Sequence, residues 1–481
     1  MHSPSLVTLL ACTATMAPSA AADRTVVVDA SADWGTWEGW GTSLAWWAKA
    51  FGDRDDLANL FFTKNYQTLN GKNLPGLGFN IVRYNAGACA TRTYHGDSMV
   101  VSSNIKPSRQ IDGFWLDWGS RDPTSDSWDW SVDANQRAML QMAKARGANI
   151  FELFSNSPMW WMCLNHNPSG STIIGTDNLQ SWNYESHAIY MANVAEHAKN
   201  NWGIVFDSVD PFNEPISPFW LSSGNQEGCH FAVSTQNKVL GYLKTHLDSR
   251  KLSTYVAASD ENRMTFAIAT WLGLSGASKD IIKRINVHGY EYGGGRRDWL
   301  YDLARDAKKK LWNSEYSEGD GSGKQLFQNL LLDFVWLHPT AWVYWQALDI
   351  SGWGLIVGDN DAHTISGAAT KYFVMAQFSR HVTPGMRILS TDNDSTMAAY
   401  DADAKKLVIV SANWDGAQQI TYDITKYGKH GDDGATVARW STNTGGGDEY
   451  ASYNDIKISG GKFTVPFATN QVQTFEILNV A

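Results

Sequence analysis

The stretch Phe206-Asp207-Ser208-Val209-Asp210-Pro211-Phe212-Asn213-Glu214-Pro215 opens as an extended, apolar segment and ends on a proline. It predicts a strand over Phe206–Phe212 that stops before Pro215, with acidic and amide side chains gathered at its carboxyl end. Helical patterns flank it on both sides, at Ser186–Asn200 and Gln236–Leu247. A strand set between helices implies parallel neighbours. The alternation repeats outward in both directions. Upstream strands are predicted at Gly39–Trp47, Gly78–Ala86 and Asn149–Asn156, and downstream ones at Ser253–Ser259, Arg284–Tyr290, Lys310–Tyr316 and Ala341–Ala347. Further helices are predicted at Ala134–Arg146, where Ala138, Met139, Met142 and Ala143 recur at helical spacing, and at Arg297–Lys309 and Lys324–Leu337. Eight such units predict an α/β fold, a closed (β/α)8 TIM barrel over residues 37–381. The rival is an open doubly wound sheet, but no Gly-rich turn follows the first strand to anchor a dinucleotide.

Beyond residue 381 the helical period disappears. Apolar runs at Leu407–Ala412, Ile420–Ile424, Lys462–Phe467 and Gln473–Leu478, separated by Gly, Asp and Asn turns, predict an attached C-terminal β-sandwich over 382–481. Thr25–Val28, within the segment 23–36, is placed to give that sandwich another strand. No low-complexity linker separates the two parts, so direct packing is expected.

The length of 481 residues suits one large barrel with a smaller partner. Hydrophobic residues at 43% and charged ones at 18% exclude a disordered chain, and a net charge of −10 argues against a nucleic-acid or anionic-membrane partner. Residues 1–22 carry no Lys, Arg, Asp or Glu. The apolar run Leu6–Met16 leads into Ala17-Pro18-Ser19-Ala20-Ala21-Ala22, which reads as a secretory signal peptide cut near Ala22, although no basic residue precedes the run. No other stretch approaches the ~20 apolar residues of a membrane span. A secreted, extracellular monomer is expected. Cys89, Cys163 and Cys229 then remain, an odd number for an oxidising compartment. One disulfide is expected, with Cys163–Cys229 the first candidate because both fall in loops at one end of the barrel. The spacing fits no zinc site. Asn393-Asp394-Ser395 is a glycosylation sequon.

Active sites of such barrels lie at the carboxyl ends of the strands. Strand four ends in Asn213-Glu214-Pro215 and strand seven in Asn313-Ser314-Glu315-Tyr316, three βα units later, so Glu214 and Glu315 can meet across the mouth. Two facing carboxyls serve glycoside hydrolysis, one attacking the anomeric carbon and the other protonating the leaving oxygen. Asn-Glu-Pro by itself is weak and could be an exposed turn; the second strand-end Glu gives it weight. Arg83 is a charge inside an apolar strand, costly unless paired. His288 and Tyr290 end strand six, and Trp345 and Gln346 end strand eight; each could instead be a satisfied core residue. Trp46, Trp47, Asn156 and Trp160 fall in segments expected at the mouth and join the candidate substrate contacts. Other acids fit less well. Glu318 reads as a solvated loop acid, Glu152 as paired inside the barrel, and Asp260 with Glu261 as ending strand five and lining the cleft. Asp359-Asn360-Asp361 reads as an Asx turn rather than a cation loop, and Gly319–Gly323 before Lys324 lacks phosphate-loop spacing. No metal and no cofactor are expected.

With these residues in place, the chain resembles glycoside hydrolase family 30 over essentially its whole length after residue 22. The resemblance implies a retaining mechanism with Glu214 as general acid/base and Glu315 as nucleophile. It also implies that Asn213 bonds the sugar 2-hydroxyl and that Arg83 supports the nucleophile. Gly41-Thr42-Ser43-Leu44-Ala45-Trp46-Trp47 and Asn156-Ser157-Pro158-Met159-Trp160-Trp161-Met162 look most like the fungal endo-β-1,6-galactanases of that family. The implied partner is a polysaccharide, β-1,6-linked galactan of arabinogalactan side chains. β-1,6-Glucanase and xylanase are alternatives within the family, and a non-catalytic carbohydrate-binding barrel is an alternative of another class. Of 23 Trp, 21 lie at or before Trp353, so the stacking surface is expected on the barrel, with about ten in segments expected to rim its mouth, Trp115, Trp118, Trp128 and Trp130 among them.

Overall fold

A computed structural model describes residues 24–481; the signal-peptide reading lies outside the described residues. Eight parallel strands close into a barrel in chain order: Gly39–Ser43, Ile81–Asn85, Ile150–Phe154, Ser208–Asp210, Tyr255–Glu261, Ile282–His288, Lys310–Tyr316 and Ala341–Gln346. The eighth pairs with the first through Ala341 and Gly39, which leaves no open edge. The first strand is shorter than its sequence suggested. It stops at Ser43, and Trp47–Phe51 is already helical, with Trp47 wholly buried and its indole N–H donating to Ser43 O at 2.8 Å.

Helices Ala134–Ala145, Tyr184–His197, Val233–Ser249, Arg297–Asp306 and Lys324–Leu332 surround the barrel near their expected positions. Helices Met264–Gly273 and Thr370–Ser379 escaped the sequence reading. The second is buried along almost its whole length, between barrel and sandwich, so it has no polar face to betray a helical period.

The barrel interior rises in layers. Ile81, Trp312, Ala341 and Val343 form an apolar floor. Above it, the Arg284 guanidinium lies 3.4 Å from the Trp312 ring centroid and pairs with Glu152, Ser208 and Asn286. Next comes Arg83, on strand two, two residues beyond Ile81 and therefore on the same inward face. Glu315 breaks that alternation. Trp312 and Ser314 face inward, and the residue between them and Tyr316 would face outward. A register shift between Asn313 and Glu315 against strand six re-aims the side chain into the mouth.

After the barrel, one nine-stranded sheet takes Arg24–Asp29 between Arg387–Thr391 and Gln418–Asp423. It folds back on itself as a sandwich, so that Tyr422 and Phe463 pack on Phe475 at 5.1 and 5.6 Å between centroids. Helix Thr370–Ser379 joins the two parts. Gln377 donates to Thr442 Oγ at 2.8 Å, and Thr474 Oγ donates to Gln377 O at 2.9 Å.

The three cysteines correct an expectation. Cys89, Cys163 and Cys229 are all buried free thiols, and no Cys163–Cys229 bond forms. Cys229 instead donates to His230 O at 3.3 Å, Cys163 to Pro158 O at 3.7 Å, and Cys89 to Glu227 at 3.2 Å. Burial pushes the Cys163 thiol up to about 12, which keeps it protonated and unreactive.

Candidate active site

Glu214 sits just past strand four with a positive φ of 51°, a conformation that costs a non-glycine residue about 1–3 kcal/mol unless its surroundings enforce it. They do. Its N–H donates to Asp260 O at 2.7 Å, and its carbonyl accepts from Ser217 N at 3.0 Å and Trp220 Nε1 at 2.9 Å. Its Oε1 accepts from Asn262 Nδ2 at 2.9 Å and from His288 Nδ1 at 3.0 Å.

Glu315 faces it. Arg83 Nη1 donates to Oε2 at 2.9 Å and the Tyr290 hydroxyl to Oε1 at 3.0 Å, while His288 Nδ1 lies 3.4 Å from Oε1. One donor atom each from Glu214, His288 and Glu315 falls within 4.8 Å of the others. A cation would fit that spacing only at the expense of the His288 proton. Burial alone would lower His288, but Glu315, Asp260 and Glu214 around it raise it to about 10. With Arg83 alongside, positive groups already offset the carboxyls gathered at the site.

Burial raises the Glu315 carboxyl; His288 and Arg83 draw it back, and the neighbouring Glu214 pushes it further up. Beneath, Arg83 also donates to Glu152 at 2.9 Å, Asp260 at 2.5 Å and Ser43 Oγ at 3.1 Å. Burial would raise Asp260, but Arg83 and His288 hold it down at about 2. Burial, with Asp260 and Glu152 nearby, lifts the Asp210 carboxyl well above the ordinary carboxylate range. Replacing Arg83 with Met would leave Glu152, Asp260 and Glu315 buried without that cation. We expect a stability loss of about 3–5 kcal/mol in denaturant unfolding, together with a fall in turnover.

His288 gives a pH signature. A folded pKa raised from 6.5 to about 10 contributes stability that is full below pH 6.5 and is lost as pH rises through about 10. The buried carboxyl of Glu261, raised to about 8 by desolvation, acts in the same direction only below that value. Between pH 8 and 10 the melting temperature should therefore fall, and His288→Asn should flatten that limb.

The cleft above the two carboxyls has a volume of about 600 Å³. Of the residues expected from sequence, Trp46, Asn156, Asn213, Glu214, Tyr290, Glu315 and Trp345 line it. Arg83 and His288 lie directly under the carboxyls. Gln346 works from behind, accepting from Trp46 N at 3.1 Å and donating to Asp349 at 2.8 Å. Trp46 and Trp345 meet edge to face at 5.1 Å. Both amide atoms of Asn156, Asn213 Oδ1 and Trp46 Nε1 are buried without a protein partner.

Arg83, His288 and Gln346 are not part of the lining, and two further expected contacts lie away from the cleft. Trp47 packs against Phe61 in the core, and Trp160 is wholly buried beside Trp118 and His166. The aromatic loop after strand two also packs mostly on itself: Trp115 stacks on Trp128 at 4.6 Å and Trp130 on His197 at 3.8 Å. Asp260 and Glu261 lie below the cleft, not along it; Asn262 takes that place. Glu318 is no solvated acid. It is buried and paired with Lys371 at 2.7 Å. Asp359 does make an Asx turn, accepting from Asp361 N at 2.9 Å.

The sequence reading missed five cleft residues: Trp220, Asn262 and Trp353 on loops, Arg109 at the end of the short helix Pro107–Arg109 and Asp349 at the end of the short strand Leu348–Asp349. It also missed Glu227. This buried carboxylate accepts from Asn85, Ala88 N, Cys89 and Ile111 N at 3.1–3.2 Å, and Asn85 in turn accepts from Asn156 N at 3.2 Å. It ties two mouth loops to the strand end that carries the cleft wall. Gly228, next in sequence, has no Cβ because the Trp220 ring occupies that space.

A closed eight-stranded barrel with two carboxyls converging from strands four and seven defines a glycoside hydrolase. Comparison with known proteins agrees. The model of O-glycosyl hydrolase family 30 matches residues 23–283. The chain is 65% identical over 461 residues to the endo-β-1,6-galactanase of Hypocrea rufa, covering 96% of each. Among solved structures, a conserved exported protein from Bacteroides fragilis superposes with a TM-score of 0.75 at 17% identity, over 94% of this chain and 100% of that one. A family 30 subfamily 8 xylanase from Clostridium acetobutylicum gives 0.68 at 17% identity, over 94% and 99%. At such identities the structural likeness speaks of the fold alone. The chain belongs to glycoside hydrolase family 30.

Among the described residues no helix is long and apolar enough to cross a membrane.

Proposed function

We propose that the chain is a secreted endo-β-1,6-galactanase acting by double displacement, with Glu315 as nucleophile and Glu214 as general acid/base. The observation that carries this reading is the close approach of the two carboxyls, with donor oxygens within 4.8 Å of each other and of His288. Retaining pairs stand about 5–5.5 Å apart, whereas inverting pairs leave about 6.5–9.5 Å for a water.

The surroundings divide the roles. The double displacement needs one of the pair protonated and the other ionised at working pH. Arg83 and Tyr290 both donate to Glu315 and hold it in place, which supports its reading as the attacking group and Glu214 as the proton donor.

In the first step the Glu315 carboxylate attacks the anomeric carbon while the proton of Glu214 passes to the departing glycosidic oxygen. A glycosyl ester on Glu315 results. In the second step Glu214, now a carboxylate, takes a proton from water as that water attacks the same carbon. The ester bond breaks, the sugar leaves with its β configuration, and both carboxyls return to their starting states. The unpartnered amide oxygen of Asn213 supports its reading as the contact to the sugar 2-hydroxyl, and the cleft-lining Trp46 and Trp345 support theirs as stacking faces for the ring.

The 65% identity to the Hypocrea rufa enzyme supports the choice of sugar and linkage. Rejecting the glucose epimer takes placed hydrogen bonds, and Asn156 is a polar residue of the cleft lining that could supply one. Incubation with matched β-1,6-galacto- and β-1,6-gluco-oligosaccharides and with xylan tests the reading. Internal cleavage of the galacto series is expected. Cleavage of only the gluco series or xylan would overturn the galactanase reading, and no cleavage of any would leave a binding module.

A further inference from the structure

A second groove, of about 510 Å³, lies where the barrel meets the sandwich. Gln325, Gln328 and Trp336, on the helical stretch after strand seven, form one side, and Trp414 of the sandwich forms the other. Its volume is that of an ordinary ligand site. Trp336 is 52% exposed, an unusual state for so large an apolar ring. Trp414 is held in place, edge-on to Phe327 at 5.4 Å and with the Lys324 ammonium 5.2 Å from its ring centroid. The side-chain amides of Gln325 and Gln328 point to no partner among the described residues. Tyr292 lines both this groove and the catalytic cleft, so the two are neighbours along one surface.

One exposed indole, Trp336, and one half-buried indole, Trp414, beside free amides suit a neutral, hydroxylated ligand: the ring covers the C–H face of a sugar while amides bond its hydroxyls. A protein partner would be expected to present a larger apolar or charged face than this narrow strip. We propose that the groove is a second, non-catalytic binding site for the polysaccharide. It holds a stretch or branch of the galactan outside the cleft, with Trp336 as its main stacking face; this rests on the galactanase reading. Its effect is to keep the enzyme on a polymer between cuts, with no part in the bond-breaking steps.

The test compares Trp336→Ala, alone and combined with Gln328→Ala, with the parent chain. Both side chains stand at the surface, and an unchanged melting temperature verifies folding. All chains are made in bacteria, so that the Asn393 sequon beside the groove stays bare. Polymer affinity is read by electrophoresis through gels containing β-1,6-galactan, in a Glu315→Gln background that leaves the polymer intact. Retardation should weaken about 2- to 10-fold. In the active chain, KM for the polymer should rise by a similar factor, with hydrolysis of short galacto-oligosaccharides unchanged. Unaltered retardation and polymer KM would overturn the proposal. Failure of the galactanase reading shows separately, as short galacto-oligosaccharides left uncut by the parent chain.

Discussion

Glu315→Gln should lower turnover of β-1,6-galacto-oligosaccharides by about 10⁴- to 10⁶-fold while leaving the fold and ligand affinity nearly intact. The amide keeps the shape of the carboxyl but cannot attack the anomeric carbon. Arg83 would still find Glu152, Asp260 and Ser43 as acceptors, so the buried network loses one ion pair rather than its cation. Initial rates and a separate binding titration on the same variant check this. Full activity in Glu315→Gln would show that another group attacks.

Glu214→Ala should behave differently, and the difference is diagnostic. Natural linkages need a proton on the departing oxygen, so their hydrolysis should fall about 10²- to 10⁴-fold. A substrate whose leaving group departs without a proton should still form the ester on Glu315 quickly. The ester should then accumulate, because no base activates water. A small anion such as azide, which needs no base and fits where the side chain was removed, should restore turnover and yield a β-galactosyl azide. Equal losses on natural and activated substrates, with no rescue, would move the acid/base role elsewhere.

The sequence carried the barrel because its strands are short apolar runs with helices at regular intervals between them. All eight strands lie where those runs are, with ends displaced by a few residues. The two carboxyls were legible because acids at strand ends are conspicuous against an apolar background. Arg83 was legible for the same reason, as a charge that must be paired. What could not be read was everything that depends on chain segments meeting from afar. Glu318 looked like a loop acid because its partner Lys371 lies on a helix with no visible period. Asn262 and Trp353 reach the cleft from loops, and Arg109 and Asp349 from elements of two or three residues, too short for alternation or helical spacing to mark orientation.

Tryptophan illustrates the other failure. Its abundance pointed to sugar stacking, yet Trp47, Trp115 and Trp160 are packed inside. Only Trp46, Trp220, Trp345 and Trp353 line the cleft. An indole fills a core as well as it faces a sugar, and composition cannot tell the two apart. The register shift that turns Glu315 inward was hidden too, since strict alternation would have sent it out of the barrel.

The central claim is that Glu214 and Glu315, which bring one oxygen each within 4.8 Å, act as a retaining pair, so the reaction passes through a glycosyl ester. Proton NMR during the first minutes of β-1,6-galacto-oligosaccharide hydrolysis tests it directly. The account predicts that the newly released reducing end appears first as the β-anomer, with the α-anomer growing in only by mutarotation. Initial release of the α-anomer would mean a single inverting displacement and would contradict it.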